Sequence, residues 1–77
     1  MRAGIPDIQI ACPRWWPDGS VSHALFIEMK AAGGRLSAEQ KIIIPTLEEH
    51  GYKVAVCFSA VEAKRVIAEY LEIELEG

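Results

Sequence analysis

The chain has 77 residues, of which 51% are hydrophobic and 25% charged, and its eight basic and eleven acidic side chains give a formal net charge of −3. This composition is that of a globular protein and excludes a disordered chain, and the length predicts a single domain, residues 1–77. The net negative charge excludes a protein that coats nucleic acid by electrostatics alone. It does not exclude an enzyme whose carboxylates hold metal ions.

The same composition predicts the cellular compartment and the oligomeric state. No apolar run approaches the length of a membrane span, and the N-terminus lacks the apolar core of a secretory signal. Cys12 and Cys57 lie far apart and neither belongs to a Cys-x-x-Cys motif, so no disulfide framework or zinc site is expected. We expect a cytoplasmic protein with no membrane partner. So small a core supplies about 3–5 kcal/mol, which favours a homodimer over a lone, marginally stable domain.

The first half of the chain predicts a β-hairpin. Residues 5–12 are rich in β-forming side chains and begin near Pro6, which is tolerated at the start of a strand. Pro17-Asp18-Gly19 predicts a turn, because proline fixes one backbone angle and glycine accepts the positive φ that follows. Residues 21–30 alternate between two faces and predict the second strand.

The second half predicts helix, strand and helix. Ser37 and Gln40 fit a capping box at the start of the first helix, Gly51 is suited to end it, and Pro45 within it is an anomaly. Residues 52–58 predict a strand buried on both faces. A second capping box opens the last helix, and residues 72–77 alternate as a short strand or a fraying end.

Apolar side chains recur at helical spacing in that last segment: Ala63, Val66, Ile67, Tyr70 and Leu71. The predicted order is therefore β-β-α-β-α. A hairpin followed by a helix, a strand and a second helix indicates an α+β domain, with a mixed sheet flanked by helices.

Three charged side chains converge if the hairpin forms. Glu28 and Lys30 are two positions apart on one strand and share a face, and Asp7 begins the neighbouring strand. Two close carboxylates repel each other unless a cation lies between them, and carboxylate oxygens, carbonyls and waters are ligands of Mg²⁺ or Mn²⁺. A lysine beside the metal holds a phosphate or orients a water. Metal-assisted phosphodiester hydrolysis uses this set of groups, although a lone Glu-x-Lys is also an ordinary exposed strand pair.

Four motifs, in their order along the chain, resemble those of a known protein family. The motifs are Gly4-Ile5-Pro6-Asp7, Leu25-Phe26-Ile27-Glu28-Met29-Lys30, Gly34-Arg35-Leu36-Ser37-Ala38-Glu39-Gln40-Lys41 and Gly51-Tyr52-Lys53-Val54-Ala55-Val56. Together they resemble the virus-type replication-repair nuclease (VRR-NUC) domain of the PD-(D/E)xK superfamily, from Gly4 to Leu71. The resemblance implies a minimal restriction-endonuclease-like core.

It also implies the site residues. Asp7 and Glu28 would be the metal ligands, assisted by the Met29 backbone carbonyl, with Mg²⁺ or Mn²⁺ as the cofactor. Lys30 would be the catalytic lysine and Gln40 an active-site glutamine on the following helix. Family members usually carry a helix with a further glutamate before the Gly-x-Pro-Asp strand. Only residues 1–3 precede Gly4 here, so we expect a minimal or trimmed domain, or a partner chain that completes the site.

The family acts on repair and recombination intermediates, so the resemblance implies an endonuclease for branched DNA such as Holliday junctions. A homodimer would supply one site for each of the two strands to be cut. The setting expected is the cytoplasm of a bacterium or of a phage-infected host cell. The alternative is a non-catalytic DNA-binding or assembly module on the same fold; the presence of Asp7, Glu28 and Lys30 favours the enzyme.

Several residues keep two interpretations. Gln40 is either catalytic or only the third residue of the capping box. Arg35 and Lys41 flank a helix N-terminus, where they either hold DNA phosphates or are ordinary solvated charges. Trp15 and Trp16 lie near the predicted turn, and they either stack on an unpaired base or cover the core or a partner subunit.

Overall fold

The computed structural model describes residues 4–74. Its elements are β1 (Ile8–Ile10), β2 (Arg14–Trp15), β3 (Val21–Ser22), β4 (Leu25–Met29), α1 (Ala38–Glu49), β5 (Lys53–Cys57) and α2 (Ala60–Leu71). The predicted α+β class is confirmed. Residues 72–74 form no strand, and the predictions for residues 1–3 and 75–77 fall outside the described range. No helix within residues 4–74 is long and apolar enough to cross a membrane.

Strand β4 is the centre of a mixed three-stranded sheet in the order β1-β4-β5. It pairs antiparallel with β1, where Ile8 lies opposite Ile27, and parallel with β5, where Met29 lies opposite Cys57. A parallel pair needs a crossover connection, and α1 supplies it. The sheet thus joins the Gly-x-Pro-Asp segment, the Glu-x-Lys segment and the last strand.

The predicted hairpin is correct in its pairing but wrong in its continuity. Its distal part forms a separate antiparallel ribbon of β2 and β3. Pro13 has no N–H to continue the first strand. On the second strand, the backbone turns to another partner: the His23 N–H donates to the Gly51 carbonyl (2.7 Å), and the Ala24 carbonyl accepts from the Lys53 N–H (2.9 Å).

Helix α1 has the predicted caps. The Ser37 hydroxyl accepts from the Gln40 N–H (3.1 Å), and the Gln40 side-chain oxygen accepts from the Ser37 N–H (2.9 Å). His50 is the C-cap, and Gly51 follows with a φ of +88°. The helix runs through Pro45, which lies on its exposed side.

The second capping box is only half formed. The Ser59 hydroxyl accepts from the Glu62 N–H (3.1 Å), as predicted. The Glu62 carboxylate, however, accepts from the Phe58 N–H (2.5 Å), one residue before the cap. The start of α2 is therefore tied to the residue that directly follows β5.

The core lies between the sheet and α2. Its fully buried members are Leu25, Ile27 and Cys57, and the predicted apolar stripe of α2 packs against them. Burial raises the pKa of the Cys57 thiol, and the nearby Glu62 charge raises it further. The prediction that residues 52–58 are buried on both faces is wrong, because β5 is an edge strand that the helices cover only partly, and Lys53 and Phe58 are exposed.

The β2–β3 ribbon is fastened to the C-terminal end of α2 by Arg14. Its guanidinium donates to the Glu69 and Tyr70 carbonyls, pairs with Glu72 at 3.4 Å and lies 4.1 Å from the Trp16 ring centroid. A cation is favoured where helix carbonyls lack partners. The two tryptophans therefore differ: Trp16 packs against the core, whereas Trp15 is 71% exposed.

Gly4 is the point at which the Gly-x-Pro-Asp segment meets α1. Its φ is +87°, and a Cβ at this position would lie 2.8 Å from Ile43 Cδ1 and 2.9 Å from Glu39 Cβ. Neither the backbone angle nor the contact distance suits another residue. Gly4 therefore sets how closely the chain that leads to Asp7 approaches the helix.

We predict that Gly4→Ala destabilises the domain more than Gly19→Ala. Gly19 has a φ of +89° but nothing within 4 Å of an added Cβ, so its substitution isolates the backbone cost of about 1 kcal/mol. The clash at Gly4 adds a further 1–3 kcal/mol or so, as overpacking does. Urea unfolding of the two variants measures the difference; equal midpoints would contradict close packing at Gly4.

Candidate active site

The pairing of β1 with β4 brings Asp7 to the C-terminal end of β4. The register places Ile8 opposite Ile27, and one further step along it leads to Asp7 and Glu28. The Asp7 Oδ2 accepts a hydrogen bond from the Met29 N–H at 3.0 Å. The Asp7 carboxylate is thus held against the backbone of the residue that follows Glu28.

Glu28 is a buried carboxylate with incomplete hydrogen bonding. Its residue is 4% exposed, and its Oε2 lies 3.5 Å from the Lys30 Nζ. Its Oε1 is buried and has no hydrogen-bond partner within residues 4–74. Burial of a charged oxygen without a partner is costly, so such groups in native proteins usually have an ion, a water or a functional role.

Lys30 lies at the end of β4 and is partly exposed. Its side chain has 19% of its surface accessible, which is more than the 6% of Glu28. Its backbone N–H donates to the Cys57 carbonyl at 2.9 Å, so the chain is still paired with β5 at this point. The Lys30 side chain is therefore more accessible to solvent than the carboxylate with which it pairs.

These residues fit a divalent cation of the hard, oxygen-binding kind. Two carboxylates and a backbone carbonyl are ligands that Mg²⁺ and Mn²⁺ accept, with waters completing the shell. The unpartnered Glu28 Oε1 is the atom that such an ion would satisfy. Within residues 4–74, no group of three or more His, Cys, Asp or Glu side chains gathers as a metal cluster.

A comparison with protein families decides the affiliation of this arrangement. The family model of the VRR-NUC domain matches residues 1–61, which contain every predicted site residue. The chain belongs to the VRR-NUC family. Comparison with curated proteins and with solved structures returns no significant match. Membership of this family makes the chain a nuclease domain, with DNA as its substrate class.

In this VRR-NUC domain, the hydrogen bonds of the capping box determine the position of the Gln40 side chain. The residue is 8% exposed, and its side-chain oxygen is occupied by the Ser37 N–H. The structure therefore realises the capping interpretation in residues 37–40. A role for Gln40 in the chemistry, which the family resemblance implies, stays a prediction.

Arg35 and Lys41, the next two basic residues after Lys30, are exposed. Arg35 lies in the loop that joins β4 to α1, and Lys41 lies in the first turns of α1, where its N–H donates to the Ser37 carbonyl. Both are available to solvent. Their contact with DNA phosphates stays a prediction.

Sequence reasoning did not single out Phe58, which directly follows β5 at the end of the sheet where the Lys30 N–H donates to the Cys57 carbonyl. The residue ends an apolar run that predicted full burial, yet 45% of its surface is exposed. The signal that could have found it is the Ser-x-x-Glu pattern after Phe58, because a helix that begins at Ser59 ends the strand before this residue.

Proposed function

We propose that this VRR-NUC domain is a Mg²⁺- or Mn²⁺-dependent endonuclease that cuts branched DNA, such as Holliday junctions, as a homodimer. The observation that carries the proposal is the buried Glu28 carboxylate, whose Oε1 has no partner within residues 4–74. It lies on the strand next to Asp7 and 3.5 Å from the Lys30 ammonium. A carboxylate that served only as an ion-pair partner would not need burial on the central strand.

The metal ion, when bound, would polarise the phosphodiester and lower the pKa of an attacking water. Asp7, Glu28 and the Met29 carbonyl would hold it. The hydrogen bond from the Met29 N–H fixes the Asp7 carboxylate in place before any ion arrives. This preorganisation reduces the ordering that binding would otherwise require.

Lys30 would stabilise the negative charge that develops on the phosphate in the transition state. Its ammonium is already next to the Glu28 carboxylate, so it lies beside the site that the phosphate would approach. Partial exposure leaves it free to exchange this partner for a phosphate oxygen. Arg35 and Lys41 would bind neighbouring phosphates, because both are exposed near the start of α1.

Support for the homodimer comes from Trp15. Its indole is 71% exposed on a short ribbon, and aromatic residues are enriched in interfaces. A symmetric dimer would present two sites, which suits a substrate in which two strands are cut.

The metal site is tested by titration of Mn²⁺ in a calorimeter. Glu28→Gln keeps the shape of the side chain but removes its charge, so we expect affinity to fall at least about 10-fold, and the Asp7→Ala, Glu28→Ala double variant to lose binding. Asp18→Asn is the control, because this exposed acid accepts its hydrogen bonds from Ser20 in its own turn. Unaltered Mn²⁺ affinity in the double variant would disprove the assignment.

The role of Lys30 is tested by single-turnover cleavage of a four-way junction and a matched linear duplex in Mn²⁺. We expect Lys30→Ala to retain most DNA affinity but to cut at least about 100-fold more slowly, because the lost interaction forms mainly in the transition state. Lys30→Arg should rescue poorly, since guanidinium is planar and bulkier. Lys64→Ala, an exposed lysine of α2, should leave the rate unchanged.

Three results would contradict parts of this proposal. Equal cleavage by wild type and Lys30→Ala would remove the lysine from it. Wild-type protein that binds the junction but cuts it in no metal would favour the non-catalytic module. Similar rates on the junction and the duplex would disprove the preference for branched DNA.

The dimer is tested by light scattering at high micromolar concentration. We expect wild type to have twice the mass of one chain and Trp15→Ser to shift toward the monomer, because the substitution removes the exposed apolar surface of the ribbon. Ile42→Ser is the matched control, with a residue of similar exposure (70%) on α1. A monomeric wild type would refute the assembly, and dissociation caused only by Ile42→Ser would move the interface to α1.

A further inference from the structure

The pairing of β4 with β5 continues past the last residue of β4. Met29 lies opposite Cys57, and the Lys30 N–H donates to the Cys57 carbonyl at 2.9 Å. Phe58 directly follows Cys57 in the chain, one peptide bond beyond the carbonyl that binds Lys30. Neighbouring strands are about 4.8 Å apart, so the backbones of Lys30 and Phe58 are close to each other where the two strands end.

Lys30 and Phe58 lie just beyond the core residues of the two strands. Met29 and Cys57 belong to the core that α2 covers. The Lys30 ammonium lies 3.5 Å from the Glu28 Oε2, so it is on the Glu28 side of the sheet. Phe58 is 45% exposed although the preceding residue, Cys57, is only 2% exposed.

The backbone of Phe58 is fixed. Its N–H donates to the Glu62 carboxylate, and Ser59 directly after it is the N-cap of α2. A phenylalanine on a fixed backbone has only two side-chain torsions to restrict when it binds a partner. An exposed aromatic residue is thus held on a fixed backbone at the end of the sheet where Lys30 lies.

From this placement we propose that Phe58 contacts the substrate by stacking on a base adjoining the phosphate that Lys30 binds. The inference rests on the proposed function, and it names the part of the DNA that this side of the site takes. A nucleotide combines an anion and an aromatic face, which matches the ammonium and the ring of these two neighbours. A purely apolar protein partner would match only the ring. Bases are available for stacking where a duplex is interrupted, as at the branch point of a junction.

Junction binding tests the proposal, measured by gel shift in Ca²⁺. The junctions carry either an intact base or an abasic residue at each position around the branch point in turn. Base–aromatic stacking corresponds to roughly 5- to 150-fold in affinity. Wild type should lose this factor at one position or a few. Phe58→Ala should lose it on the intact junction and show no further loss at those positions, whereas Phe58→Trp should behave as wild type.

Val61→Ala is the matched control, since Val61 is 65% exposed in the first turn of α2 but lies outside the register with Lys30. It should bind like wild type. If Phe58→Ala binds the intact junction as wild type does, or still shows the full abasic penalty, the inference is overturned while cleavage by wild type leaves the proposed function standing. Wild type that never cuts in Mn²⁺ refutes the proposed function, and the abasic comparison still decides the stacking.

Discussion

The register of β4 between its two neighbours is the constraint on which the rest of this domain depends. Leu25 and Ile27 are fully buried on the face toward α2, whereas Glu28 and Lys30 alternate with that core. A slip of one residue would exchange the two sets and force charges into the core. The packing of Ile27 in the core thus fixes the direction in which Glu28 points. The stability of the core and the geometry of the site therefore both depend on the register of one strand.

This arrangement has a cost in free energy, which comes from the burial of the Glu28 carboxylate. The Lys30 ammonium at 3.5 Å compensates one oxygen, while the other has no partner within residues 4–74. In a domain with so few fully buried side chains, replacement of such a carboxylate by an apolar residue would commonly be neutral or stabilising. Its burial on the central strand therefore supports the metal-ligand role that we propose for Glu28.

Local signals in the sequence predicted the helices and the central strand well, whereas contacts between distant residues were not predicted. The caps of α1 and the stripe of α2 depend on residues three or four positions apart, and both are confirmed. The break in the hairpin depends on the bond from the His23 N–H to the Gly51 carbonyl, and the anchoring of the ribbon depends on Arg14 at the far end of α2. No local pattern encodes those two partners.

The same distinction between local signals and distant contacts applies to the candidate site. Asp7, Glu28 and Lys30 follow from a strand period of two and from the family motif, so the sequence alone identified them, although their roles stay predictions. Phe58 was missed because an apolar run predicts burial without showing how many strands flank it. In the described sheet β5 has one neighbour, β4, and α2 begins at once after Ser59. The strand therefore ends before Phe58, and this residue stays 45% exposed.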